Sequence, residues 1–261
     1  EIVSEGAKGA STIEELVSNL ALPRTIWIMV SHNAVYAVLQ ELTPLLCAGD
    51  TIIDGGNCFY EDTMRRAKDL ESKGINFIDA GVSGGPRGAR NGAAIMIGGK
   101  RELYEKYKTL FQDLSAPNSL SYMGQSGAGH FVKMVHNGIE YGMMQAIAEG
   151  FAVLKNAPFN LDLKQTAEVY NNKSVIESRL VGWLAQAFEK FGSNLEDISS
   201  TVAHSGEGQW TVETAKKLGI DVPVIEKSLQ FRLDSAKHPS FTGQILTALR
   251  NQFGGHSIEN K

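Results

Sequence analysis

From residue 1 to about residue 124, short apolar runs rich in β-branched residues alternate with segments whose apolar residues recur at three- and four-residue spacing. The short runs predict strands at Thr25 to Val30, Thr51 to Asp54, Ile75 to Asp79, Ala93 to Ile97 and Leu120 to Met123. Between them the helical period predicts helices at Thr12 to Leu20, Ala34 to Cys47, Tyr60 to Lys73 and Arg101 to Leu114. Such alternation implies βαβ units in a doubly wound parallel sheet with helices on both faces. Ligands bind such sheets beyond the carboxyl ends of the strands, where Asp54-Gly55-Gly56-Asn57 and Gly81-Val82-Ser83-Gly84-Gly85 fall. After Gly127 the strand pattern stops and long helical periods take over, which places a domain boundary near Ser126 and divides the chain into 1–126 and an all-α part, 127–261. There, helices are expected over Gly129 to Asn156, Asp162 to Tyr170, Val175 to Phe191, Thr211 to Leu218, Ile225 to Ala236 and Phe241 to Arg250.

Composition narrows the function classes. The 261 residues carry 25 Lys plus Arg against 29 Asp plus Glu, a net charge of -4 with no basic excess, so neither a nucleic acid nor an anionic membrane is the expected partner. No apolar run reaches the roughly 18 to 20 residues that span a bilayer. The two cysteines, Cys47 and Cys58, form neither a disulfide framework nor a zinc motif, and a reducing cytoplasm is the expected compartment. The chain opens on Glu1 rather than Met, so a processed or truncated product is the expectation.

The chemistry concentrates in one segment. Lys133, His136, Asn137, Glu140 and Tyr141 stand at i, i+3, i+4, i+7 and i+8, an arc of about 140° on one helical face. The opposite face, with Phe131, Val132, Met134, Val135 and Ile139, is apolar. A solvated stripe is one reading of these polar residues. Against it, a solvated face is normally filled with repeated Lys and Glu, whereas this one holds five different polar side chains. Glycines at 127, 129, 138 and 142 lower helix stability and suit close approach of a ligand or another backbone. A desolvated lysine can act as a base near neutrality, and a carboxyl in an apolar site as an acid.

Lys133-Met-Val-His136-Asn137-Gly-Ile-Glu140-Tyr141-Gly, preceded by Gly127-Ala-Gly-His-Phe-Val, closely resembles the catalytic helix of the decarboxylating 6-phosphogluconate dehydrogenases. Four further blocks resemble that family in its own order: Pro23-Arg24-Thr-Ile-Trp27-Ile-Met29-Val30, Ile53-Asp54-Gly55-Gly56-Asn57, Gly81-Val82-Ser83-Gly84-Gly85 and Gly206-Glu207-Gly208-Gln209-Trp210-Thr211. So does the C-terminal Arg250-Asn-Gln-Phe253-Gly254-Gly255-His256. The short C-terminus looks like the short bacterial type. The resemblance implies a Rossmann-like nucleotide domain followed by a helical substrate and dimerisation domain, NAD or NADP as cofactor, and 6-phosphogluconate as substrate in the pentose phosphate pathway.

By the same resemblance, Lys133 takes the proton of the substrate's 3-hydroxyl and then polarises the ketone, and Glu140 supplies a proton to the enediol, with Asn137 beside them. His136 and Asn137 would contact substrate hydroxyls, Ser83, Gly84 and Gly85 the carboxylate end, and Asn57 both substrate and nicotinamide. Small side chains at Ser83 to Gly85 expose backbone N–H groups to an anion. Tyr141, Arg232, Arg250 and His256 would hold the phosphate, for which arginine offers paired donors. Family enzymes borrow the C-terminal arginine and histidine from a neighbouring subunit, so a homodimer or higher homo-oligomer is expected. The lysine that long members carry before the Gly-Trp block falls on Ser205 here.

Met29, Val30 and Ser31, with Asn57, are the residues expected at the cofactor, where many relatives read Pro-Ala-Gly or Lys-Ala-Gly instead of Val30-Ser31-His32. The Gly-x-Gly-x-x-Gly turn of a dinucleotide site is absent from this chain. Against the family, about 50 residues bearing that turn would precede Glu1. No metal is expected, because a protonated Lys133 can do the polarising and no His, Asp and Glu group shows ligand spacing. Two other readings are a β-hydroxyacid dehydrogenase of the 3-hydroxyisobutyrate type, for which the phosphate-side residues would be superfluous, and a truncated, non-catalytic chain that dimerises.

Overall fold

The computed structural model describes residues 2–259. Five strands form one sheet in the order β1-β2-β3-β4-β5: β1 (Thr25–Ile28), β2 (Thr51–Asp54), β3 (Asn76–Ser83), β4 (Ala93–Gly99) and β5 (Ser115–Gly124). Between and before them run α1 (Ile13–Ser18), α2 (His32–Leu42), α3 (Tyr60–Glu71), α4 (Gly85–Asn91) and α5 (Arg101–Leu114). After the sheet come α6 (Ala128–Lys155), α7 (Leu163–Tyr170), α8 (Arg179–Phe191), α9 (Glu207–Lys217), α10 (Pro223–Asp234) and α11 (Phe241–Gly254). The strand-helix alternation and the helical second part stand as expected.

One pairing departs from the expected all-parallel sheet. β1, β2 and β3 are mutually parallel and β4 is parallel to β5, but β3 and β4 are antiparallel, with Ile78 opposite Gly99 and Ser83 opposite Ala94. β3 continues through Gly81-Val82-Ser83, a stretch whose glycines suggested a turn, and only residues 84–92 remain to reach β4. A parallel crossover needs a dozen residues or more, so the chain turns back through the short helix α4.

Element ends follow local chemistry. Thr12, Asp162, Ser178 and Ser240 accept a backbone N–H three residues on and thereby start α1, α7, α8 and α11. The Ser178 cap explains why α8 begins four residues later than the apolar pattern from Val175 suggested. α2 stops at Leu42, short of the expected Cys47, where Pro44 converts the chain to a 3-10 turn over Thr43–Leu45.

The described residues divide into two compact units, one holding the chain up to Ser83 with Asn91–Lys133, the other holding Gly84–Arg90 and everything from Met134 on. In the first, alternate strand residues feed opposite faces of the sheet. Ile26, Ile28, Ile52 and Phe77 pack with Val35, Leu39, Ala67 and Leu70 on one side, while Ile53, Ile78, Ile95 and Ile97 pack with Leu103, Tyr104 and Phe111 on the other. In the second, Met144, Ala148 and Phe151 pack with Leu163, Leu184, Phe188, Ile245 and Leu249. No helix among the described residues is long and apolar enough to cross a membrane.

Candidate active site

The position of Lys133 is built from β3, β4 and the first turn of α6. Asp79 on β3 is fully buried and accepts the backbone N–H of Gly127 at 2.7 Å and of His130 at 2.9 Å, so a carboxylate satisfies two donors at a helix N-terminus. Gly81 and Gly129 have no side chain to hold that turn away: a Cβ on Gly81 would sit 2.5 Å from Cβ of Lys133, and one on Gly129 would overlap the Met96 carbonyl of β4. The result is a lysine only 7% exposed beside the middle of β3. One helical turn on, His136 Nδ1 pairs with Asn137 Oδ1 at 2.9 Å and lies 3.9 Å from the Glu140 carboxylate. Asn137 is buried and Glu140 half-buried. The five polar residues of the stripe therefore lie on one unbroken helix, and three of them, Lys133, Asn137 and Tyr141, are removed from solvent.

Helix α9 packs on α6 through small residues. Thr211 Oγ1 donates to the Met134 carbonyl at 2.8 Å, and a Cβ on Gly138 would lie 2.6 Å from the Thr211 methyl. Gly208, likewise, leaves room for the Tyr141 ring. On that ring lies Arg232 of α10, its guanidinium carbon 3.5 Å from the ring centroid. Arg232 is buried, and among the described residues its guanidinium donates to the Met144 sulfur alone, at 3.6 Å, with no acceptor for Nε. Burial lowers its pKa to about 10, with Tyr141 opposing and Arg250 assisting that fall. Arg250 of α11 is also buried and lowered by burial, in the field of Tyr141 and Glu207. Burial and the positive charge of Arg250 push His256 down. Burial pushes Tyr141 up, although Arg232 pulls it the other way. Neither arginine has a carboxylate within ion-pair distance among the described residues. Arg250 and His256, assigned by resemblance to a neighbouring subunit, here stand in the field of Tyr141, Glu207 and Arg232 of their own chain.

The remaining expected residues lie at strand ends. Met29, Val30 and Ser31 are exposed just after β1, and Asn57 is exposed after β2. Ser83 ends β3 and is half-buried. Gly84 and Gly85 have φ of 156° and 58°, and a Cβ on Gly85 would lie 2.5 Å from the Phe253 carbonyl. Asn57, Ser83, Lys133 and residues 29–31 belong to the first compact unit; Gly84, Gly85, the rest of the helical stripe and the arginine group belong to the second.

Three buried features were not singled out from the sequence. One is Asp79. Another is Glu207, 4% exposed at the first position of α9, whose one signal was an acidic residue between two glycines. The third is a polar group behind the Asp54 turn: Asp54, Cys58 and His130 each bring a potential ligand atom within 4.8 Å of the others. His130 lies far along the chain from Asp54 and Cys58, so no ligand spacing was visible. Arg66, 3.6 Å from Asp54, already supplies a positive charge there, and Thr63 bonds His130 Nδ1 at 2.8 Å. Burial and the Asp54 charge push the Cys58 thiol up to about 12.

Residues 1–135 match the model of the NAD binding domain of 6-phosphogluconate dehydrogenase, and residues 129–242 match that of the 6-phosphogluconate dehydrogenase C-terminal domain. A Bacillus subtilis protein described provisionally as a 6-phosphogluconate dehydrogenase, YqeC, is 47% identical over 261 residues, all of this chain and 88% of its own length. The chain belongs to the 6-phosphogluconate dehydrogenase family. A Haloferax volcanii member, an NAD(+)-dependent decarboxylating 6-phosphogluconate dehydrogenase, is 39% identical and covered over 85% of its length. A Bacillus subtilis relative is described as NADP(+)-dependent.

Among solved structures, Plasmodium falciparum 6-phosphogluconate dehydrogenase superposes with a TM-score of 0.80 at 33% identity, covering 90% of this chain and 53% of that one. A Salmonella typhimurium 3-hydroxyisobutyrate dehydrogenase superposes with a TM-score of 0.74 at 18% identity, which shows a shared fold. This 6-phosphogluconate dehydrogenase family member is thus an NAD(P)-dependent oxidoreductase with a Rossmann-like domain and a helical C-terminal domain. The residues expected at the cofactor sit at the ends of β1 and β2, where the chain forms two neighbouring loops. A Cβ on Gly56 would come within 3.0 Å of the Val30 carbonyl, so glycine there eases the close approach of the two strand-end loops, and Ser31 makes no side-chain capping bond to α2.

Proposed function

We propose that this chain catalyses the oxidative decarboxylation of 6-phosphogluconate to ribulose 5-phosphate and carbon dioxide. One observation carries the choice of substrate: Arg232 on the Tyr141 ring and Arg250 in its field are both buried, and among the described residues no carboxylate lies within ion-pair distance of either. A buried guanidinium without a directly bonded anion is costly, and an arriving phosphate supplies both charge and matched acceptors. An unphosphorylated 3-hydroxyisobutyrate brings no phosphate oxygens to the N–H groups of these two arginines.

The bound nicotinamide supplies the hydride acceptor, with Met29, Val30, Ser31 and Asn57 as the residues that would hold it. Lys133 acts first as a base, removing the proton of the substrate's 3-hydroxyl as the hydride leaves carbon 3. The product is a 3-keto acid. Protonated Lys133 then hydrogen-bonds the new ketone oxygen and stabilises the negative charge that develops there as carbon dioxide departs. Its burial, enforced by Gly81 and Gly129, strengthens that interaction by excluding water. Glu140, two turns along the same face, gives a proton to carbon 1 of the enediol. His136 and Asn137 position the hydroxyls between these groups, and Ser83, Gly84 and Gly85 take the carboxylate end.

Calorimetric titration of the folded chain with 6-phosphogluconate and with 3-hydroxyisobutyrate tests the reading, followed by carbon dioxide release with NAD and with NADP. Selective binding of the phosphorylated acid with release of one carbon dioxide per reduced nicotinamide is the expected result. Binding of 3-hydroxyisobutyrate in preference, or reduction of the cofactor without carbon dioxide, overturns it.

A further inference from the structure

Tyr141 is flanked by groups of opposite charge. Arg232 covers its ring face, while the first turn of α9 lies against the ring edge, where a Cβ on Gly208 would come within 2.6 Å of Cδ2. The residue immediately before Gly208 is Glu207. Glu207 is 4% exposed, and among the described residues its Oε2 receives no hydrogen bond. A carboxylate in this position is costly unless positive charge compensates it. Three sources are at hand. The uncapped N-terminus of α9 offers its partial positive charge to the first helical residue. The other two are Arg232 and Arg250, each of which feels the Glu207 charge. The site therefore contains a fixed anion of its own among the cations that would receive a ligand's phosphate.

We propose that Glu207 is an internal counter-ion for Arg232 and Arg250 that competes with the incoming phosphate group, so one carboxylate both stabilises the ligand-free site and loosens its hold on phosphorylated acids. The proposal rests on the phosphate reading of this site given above. Substrate and product both carry the phosphate, so Glu207 weakens both alike and keeps the phosphorylated product from blocking the next turnover. It is a positioning and specificity residue, since it acts through the arginines rather than on the reacting carbons.

The test uses the full chain, with inorganic phosphate and 6-phosphogluconate as probes, measured by calorimetry and by thermal melting with and without each probe. Glu207→Gln keeps the shape and removes the charge. It is expected to melt at a lower temperature than the wild type when empty, yet to bind both probes about tenfold tighter, the size of one charged hydrogen bond. Glu207→Asp keeps the charge and is expected to stay within about twofold of the wild type. Glu207→Thr is a second neutral variant that should tighten binding in the same way if the glutamine variant does not fold. Opposite movement of stability and affinity distinguishes a counter-ion from a packing residue, whose loss would weaken both. Unchanged or weaker binding in the neutral variants, with the wild type binding 6-phosphogluconate normally, overturns the counter-ion while leaving the proposed function intact. Equal tightening in Glu207→Asp overturns it too, by tracing the effect to volume. A folded wild type that binds neither probe overturns the phosphate reading and this inference with it.

Discussion

Arg232 lies over the face of Tyr141 at 3.5 Å and is held there by an aromatic ring and a methionine sulfur rather than by a carboxylate. The ring's electron-rich face partly offsets the cost of burying the guanidinium, and leaves its N–H groups for a ligand. Arg232→Met should raise KM for 6-phosphogluconate by about 30-fold, equivalent to about 2 kcal/mol of charged hydrogen bonding, with kcat changed far less. Steady-state kinetics check this; an unchanged KM would show that the phosphate is held elsewhere.

Lys133→Met should lower turnover by at least about 10³-fold, within the span ascribed to a positioned acid or base and to the charge it places on the transition state. Circular dichroism should show the fold intact, because the methionine keeps most of the buried stem. Near-normal turnover would remove Lys133 from the mechanism.

Glu140→Gln should slow the final protonation while leaving oxidation at carbon 3 competent. Following carbon dioxide and the enediol's conversion to ribulose 5-phosphate separately would show the later stage lagging. Equal slowing of every stage would instead point to substrate positioning.

Gly81→Ala places a methyl group where Cβ of Lys133 and the Gly129 carbonyl already stand, at 2.5 and 2.7 Å. Backbone must shift, so this change should cost about 1–3 kcal/mol of stability and reduce kcat by misplacing the lysine. Denaturant unfolding and kinetics on the same sample measure both effects.

Asp79→Ala removes the acceptor of two backbone donors at the start of α6. A loss of about 2–3 kcal/mol is expected, since both N–H groups are left buried and unpaired. Chemical denaturation should register it, and a loss below about 0.5 kcal/mol would mean that water replaces the carboxylate.

Alkylation should separate the two cysteines. Cys47 is exposed and Cys58 is buried with its thiol raised to about 12, so the folded chain holds the Cys58 proton well above the usual thiol range. A group raised in this way favours the folded chain below its ordinary value near 9.0 and loses that preference as pH climbs toward 12. Iodoacetamide at neutral pH should therefore modify Cys47 first and Cys58 only on unfolding, as read by intact mass.

What the sequence disclosed depended on how local the determining contact was. The stripe from Lys133 to Tyr141 was legible because helical periodicity alone places those residues on one face. The burial of Arg232 and Arg250 was not, since it depends on α10 and α11 meeting Tyr141 from more than 90 residues away. Gly81-Val82-Ser83 read as a turn because glycine usually marks one; it is strand because the glycine admits α6 rather than reversing the chain. The antiparallel return of β4 was hidden by the same misreading, which made the connection look long enough for a parallel crossover. Asp79 looked like the polar end of a strand, and its partners lie some 50 residues on.

The segment 84–90 is grouped with the second compact unit although the chain on either side of it builds the sheet of the first. The two units are therefore interleaved in sequence, and no single cut separates them. A fragment beginning at Met134 would lack the stretch whose Gly85 backbone lies against the Phe253 carbonyl. A fragment ending at Lys133 would carry that stretch without its partner. Recombination between relatives at one joint would likewise mismatch this pair, so the gene segments for sheet and helices are expected to be inherited together rather than shuffled as independent modules.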